Sequence, residues 1–80
     1  MAEDFTSIIE ALTEMQNDAS VPRNVKSGII QTIEALKQDA DQSIRINKAL
    51  NKLEELTEDV NMQPYTRTQI FNVVSLLEMI

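Results

Sequence analysis

The sequence predicts an all-α domain of four antiparallel helices, and three observations carry that reading. Apolar residues recur at helical spacing in four separate segments. Glycine and proline are confined to Gly28, Pro22 and Pro64, too little punctuation for the many turns of a β-sandwich or barrel. The chain is 42% apolar but only 4% aromatic, so its core is aliphatic. Eighty residues make one domain, 1–80, and a chain this short hides only roughly 60–65% of the surface its unfolded form exposes.

The first helix, residues 3 to 17, places Phe5, Ile8, Ile9, Leu12 and Met15 in one stripe. The second, about 22 to 38, does so with Val25, Ile29, Ile30, Ile33 and Leu36. The third, about 42 to 58, uses Ile46, Ala49, Leu50, Leu53 and Leu56. The fourth, about 64 to 80, carries Ile70, Phe71, Val73, Val74, Leu76, Leu77, Met79 and Ile80 around most of its circumference. Ser20 before Val21-Pro22 reads as an N-cap, and Asp39 or Asp41 is placed to cap the third helix. Pro64 suits the first turn of the fourth, although Thr66 with Gln69 fits a capping box slightly later.

A shift of 41 residues superposes the two halves. Phe5 meets Ile46, Leu12 meets Leu53, Asp18 meets Asp59, Val21 meets Met62, Lys26 meets Arg67, Ile29 meets Ile70 and Leu36 meets Leu77. The chain therefore reads as an internal repeat, 1–39 and 40–80, each unit a helical hairpin. Two arrangements satisfy it: two HEAT-like helical hairpins stacked side by side, or the same helices closed as a four-helix bundle.

Each hairpin turn pairs an aspartate with a later cation: Asp18 with Lys26, Asp59 with Arg67, and in the shorter link Asp39 with Arg45. Lys26 and Arg67 fall on or beside the apolar arc, where a cation needs a partner. The expectation is a structural pair, with the aspartate bracing its loop and the cation bridging to it or to the neighbouring repeat. This grammar resembles the HEAT consensus, in which a turn aspartate precedes a Val-Arg or Val-Lys pair. Here the pairs are Val25-Lys26 and Ile44-Arg45, with Thr66-Arg67 departing at the apolar position. A closer resemblance covers nearly the whole chain. "SVPRNVK" and "NMQPYTRTQIFNVVSLLE", with most weight on Ser20 to Lys26 and Pro64 to Thr68, are similar to a family of short, functionally uncharacterised archaeal proteins. That resemblance implies an archaeal cytosolic helical domain and supplies no activity, cofactor or catalytic residue.

Catalysis is poorly provided for. Without His or Cys there is no Ser-His-Asp triad, thiol nucleophile or His/Cys zinc site, and one glycine makes no phosphate loop. The acid pairs Glu54-Glu55 and Glu58-Asp59 point about 100° apart on a helix and read as solvated surface. We therefore expect no enzyme, no cofactor and no metal site.

The net charge of −6 divides into −5 over residues 1–20, +3 over 21–52 and −4 over 53–80. Overall acidity disfavours nonspecific binding to nucleic acid or anionic lipid. The exception is a possible basic ridge of Arg45, Lys48 and Lys52 on the third helix, a candidate contact for RNA phosphate that reads equally as a salt-bridged surface with Asp41 and Glu55. The stronger lead is the fourth helix. Either it lies at the centre of the domain, touched by the other three, or its surplus face of Val73, Leu76 and Ile80 closes a homodimer or accepts a protein partner. Absence of cysteine, of an apolar leader and of any long apolar run points to a cytoplasmic protein without a membrane segment.

Overall fold

The computed structural model describes residues 5–80. It contains four helices, α1 (Thr6–Gln16), α2 (Arg23–Lys37), α3 (Gln42–Leu56) and α4 (Pro64–Glu78), and no strand among the described residues. Each expected helix is present and ends within a few residues of its predicted limits. Residues 3 and 4 of the first expected helix lie outside the described residues.

The order of packing distinguishes the two arrangements. Helix α1 lies against α2 and α4, and α3 lies against α2 and α4, while the diagonal pairs α1/α3 and α2/α4 do not approach each other. A translational stack would set equivalent helices side by side, α1 on α3 and α2 on α4. The observed ring is instead that of a closed bundle, in which a two-fold rotation exchanging the hairpins carries α2/α3 onto α4/α1. The core is the inward stripe of all four helices: Ile8, Leu12 and Met15; Val25, Ile29 and Leu36; Ala49 and Leu53; Ile70, Val73 and Leu77.

The four faces of the ring are unequal. The α2/α3 pair is by far the most extensive, and Gly28 lies buried within it, where a Cβ would meet the side chain of Leu56. At the equivalent position α4 carries Gln69, whose side-chain oxygen is buried without a hydrogen-bond partner. A glycine lets two helices approach closely; α4, with the larger glutamine there, packs less extensively against both of its neighbours. Helix α4 is thus not the central helix: it touches only two of the others.

The caps differ from expectation. The N-caps of α2 and α3 are Pro22 and Asp41, and neither makes a side-chain cap bond. Ser20 does not cap α2 because its hydroxyl donates to the Asp18 carboxylate at 2.7 Å. Pro64 is the first residue of α4, so the Thr66–Gln69 capping box is not formed and Thr66 is buried inside the helix.

Candidate functional site

The two long turns share the same backbone bonds and the same aspartate-to-amide bond. The Asp18 amide donates to the Met15 carbonyl at 3.2 Å, and the Asp59 amide donates to Leu56 at 3.1 Å. Each aspartate carboxylate then accepts from an amide two residues on, Ser20 at 2.9 Å and Asn61 at 2.8 Å. Val21 and Met62 follow, both buried as plugs at the end of the core. These local bonds hold both carboxyls below the usual value of 3.8. For Asp18 the backbone and then the hydroxyl of Ser20 are the main causes. For Asp59 the Asn61 amide comes first, followed by the side chain of Asn24, which donates to Asp59 Oδ2. Lys26 and Arg67 contribute least, as distant charges.

The cations therefore do not form the ion pairs their spacing invited. Arg67 Nη2 donates to the backbone carbonyl of Asp59 at 2.9 Å, leaving the carboxylate to the Asn61 amide and to Asn24 of α2. Arg45 turns away from Asp39 and Asp41: its Nη1 donates to the Leu36 carbonyl at 3.3 Å and its guanidinium lies 5.2 Å from the centroid of the Phe5 ring. Both arginines occupy the fourth position of their helix and reach back to a carbonyl at or just beyond the C-terminal end of the preceding one, where the helix dipole favours a positive charge. Each joins consecutive helices. Asp39 itself is exposed.

The same bonds dissolve the basic ridge into separate local roles. Arg45 is half-buried and committed to Leu36 and Phe5. Lys48 donates to Gln38 Oε1 at 3.2 Å, and Lys52 pairs with Glu55 at 3.2 Å, the only ion pair among the described residues. Between α2 and α3 lies an open cleft of about 400 Å³ whose rim includes Asn24, Gln31, Lys52, Glu55 and Asp59. Its acids are spread along the groove, and no group of three or more is arranged to hold a metal ion among the described residues.

The largest unpartnered apolar surface is on α4. Val73 does not belong to it: at 1% exposure it is a core residue, because it lies only about 60° around the helix from Ile70. Leu76 and Ile80 are exposed at 42% and 44%, and Tyr65 at 67% and Met79 at 81% extend the surface in both directions. Tyr65, Gln69, Asn72, Leu76 and Ile80 follow one another at steps of four, three, four and four, a second stripe beside the core stripe. Tyr65 was missed because its neighbours in sequence are polar. Its place in the 4-3-4-4 spacing was the signal. The helix's only charges, Arg67 and Glu78, fall on the opposite side, together with Phe71, which is 52% exposed and stands apart from this stripe.

Comparison with known proteins places this architecture. Residues 1–80 match the model of an uncharacterised protein family, UPF0147. The chain belongs to the UPF0147 family. Among its relatives, a UPF0147 protein of Pyrococcus furiosus is 40% identical over 80 residues, covering 98% of this chain and 86% of the relative. One from Sulfurisphaera tokodaii is 40% identical over 68 residues, covering 84% and 76%. Relatives are archaeal, as the resemblance in Ser20–Lys26 and Pro64–Thr68 implied. The UPF0147 fold is also known from crystals. A protein of unknown function, MMP1188, is 32% identical with a TM-score of 0.90 over 99% of this chain and 98% of its own. A UPF0147 protein of Thermoplasma acidophilum is 28% identical with a TM-score of 0.89 over 94% and 89%. No helix among the described residues of this UPF0147 chain is long and apolar enough to cross a membrane.

Proposed function

We propose that this protein is a non-catalytic interaction module of the cytoplasm that binds a protein surface, its own or another's, through the outer face of α4. The observation that supports this reading is the second stripe of α4. Tyr65 and Leu76 on α4, and Met79 and Ile80 just after it, remain exposed although the core side of the helix is already satisfied by Ile70, Val73 and Leu77. Large apolar side chains clustered on one exposed face mark association sites more often than scattered ones do.

The test is affinity purification of the tagged protein from an archaeal host, with and without nuclease, alongside Leu76→Glu. The expected result is a stoichiometric protein, or untagged copies of the chain, that survives nuclease and is released by Leu76→Glu. Association that disappears with nuclease, is indifferent to Leu76→Glu and is lost in Lys48→Glu/Lys52→Glu would overturn it in favour of an RNA-associated protein.

A further inference from the structure

Resting on that reading, we infer that the occupant of the α4 face is a second copy of this chain, docked by a two-fold axis that sets the two α4 helices antiparallel with Asn72 at the axis.

Charge argues for a copy. Every other helix displays exposed charge: Glu10 and Glu14 on α1, Arg23, Glu34 and Lys37 on α2, Lys48, Glu54 and Glu55 on α3. On α4 the exposed charge is Glu78, on the side away from the Tyr65–Ile80 stripe, which itself carries none. A two-fold contact presses each patch against itself, so a patch of one sign repels its mate and a neutral patch does not. In a chain of net charge −6 a stripe that is both uncharged and apolar lets a second copy approach with little repulsion.

The register follows from the stripe. Its residues run from 65 to 80, and an antiparallel partner reverses them about a point half a residue beyond Asn72, less than about 1 Å along the helix. Tyr65 then faces Ile80 of the other copy, Gln69 faces Leu76, and the exposed Asn72 meets its own equivalent. An amide both donates and accepts, so two asparagines on an axis satisfy each other. The exposed parts of Tyr65, Leu76, Met79 and Ile80 amount to on the order of 500 Å² per copy, which brings the pair to the roughly 1,000 Å² where specific interfaces begin. Such a dimer dissociates on dilution.

The chain has no cysteine, so a single engineered one reports cleanly. The experiment measures mass by light scattering and sedimentation over micromolar to near-millimolar concentrations, at low and high salt, for the wild type, Leu76→Glu and Asn72→Glu. It also measures disulfide formation in Asn72→Cys against Glu34→Cys. The expected result is a concentration-dependent dimer strengthened by salt, because screening relieves repulsion between two anions. Both glutamate variants are monomeric, and Asn72→Cys cross-links at least tenfold faster than Glu34→Cys. Asn72 is solvent-exposed, so its variants keep the test open even if Leu76→Glu fails to fold. A wild type monomeric at all concentrations, or equal cross-linking of the two cysteines, overturns the second copy. If another protein is nevertheless released from α4 by Leu76→Glu, the interaction module stands with a different occupant. If nothing depends on α4, both readings fall.

Discussion

A Cβ built on Gly28 would lie 2.4 Å from Cδ2 of Leu56 and 3.0 Å from its Cγ, so the Leu56 side chain fills the space that a side chain at position 28 would need. Glycine inside a helix costs roughly 0.5–1 kcal/mol relative to alanine. The structure accepts that cost where α2 and α3 make their broadest contact. The obstacle to a larger residue is a leucine side chain that borders the open cleft, not backbone.

Gly28→Ala is therefore expected to destabilise modestly, by about 1 kcal/mol, as an off-rotamer Leu56 outweighs the gain in helix propensity. In a Leu56→Ala background the clash is gone and the same change should stabilise by roughly 0.5–1 kcal/mol. Urea denaturation of the four proteins in this double-mutant cycle checks the reversal of sign. Gly28→Gln, which copies α4's residue at the equivalent position, is expected to cost about 1–3 kcal/mol by overpacking.

Arg67 holds the turn through the Asp59 carbonyl and not through its carboxylate. Arg67→Met keeps the apolar stem and removes the donor, leaving that carbonyl with the Met62 amide at 3.3 Å alone, and should cost about 0.5–1.5 kcal/mol. Asp59→Asn leaves the carbonyl in place and should cost less than Arg67→Met. Equal losses, with strong coupling in the double variant, would show that an ion pair carries the contact instead.

The carboxyls of Asp18 and Asp59 are both held below 3.8 by hydrogen bonds that exist only in the folded turns. A depressed folded value means stability that is fully present above the unfolded pKa and lost as pH falls through the folded one. The fold should therefore weaken on acidification below about pH 4. Carboxyl titration by NMR should show Ser20→Ala raising Asp18 toward 3.8 with Asp59 unmoved, and Asn24→Ala doing the reverse. Equal movement of both in either variant would mean that overall charge sets these values.

What the sequence made legible is what periodicity encodes. The four helices, most of their core stripes and the repeat of the aspartate turns are written at local spacing, because a helix face and an i, i+2 turn are set by neighbours in the chain; Ile30, at the edge of the α2 stripe, is exposed instead. The ring of helices was not legible, since stacked and closed hairpins bury the same stripes. Nor were the arginine clips: a carbonyl carries no sequence signature, so Arg45 seemed to belong to Asp39 when its partner is Leu36. Gly28 did stand out as a lone glycine amid apolar residues, but the leucine it accommodates is on another helix.

The division of α4 between core and outer face was the hardest part to read, because Val73 and Leu76 are both apolar and three residues apart. They now make opposite predictions. Val73 is enclosed by the core, and Val73→Asp would bury an unpaired carboxylate, a change expected to unfold so small a domain. Leu76 is half open to solvent, so Leu76→Asp should retain full helical circular dichroism and a cooperative melt within about 1 kcal/mol of wild type. Thermal denaturation of the isolated variants at low concentration, where any association is absent, separates the two. If Leu76→Asp melts out as Val73→Asp does, the outer stripe of α4 belongs to the core of the monomer and presents no surface for binding.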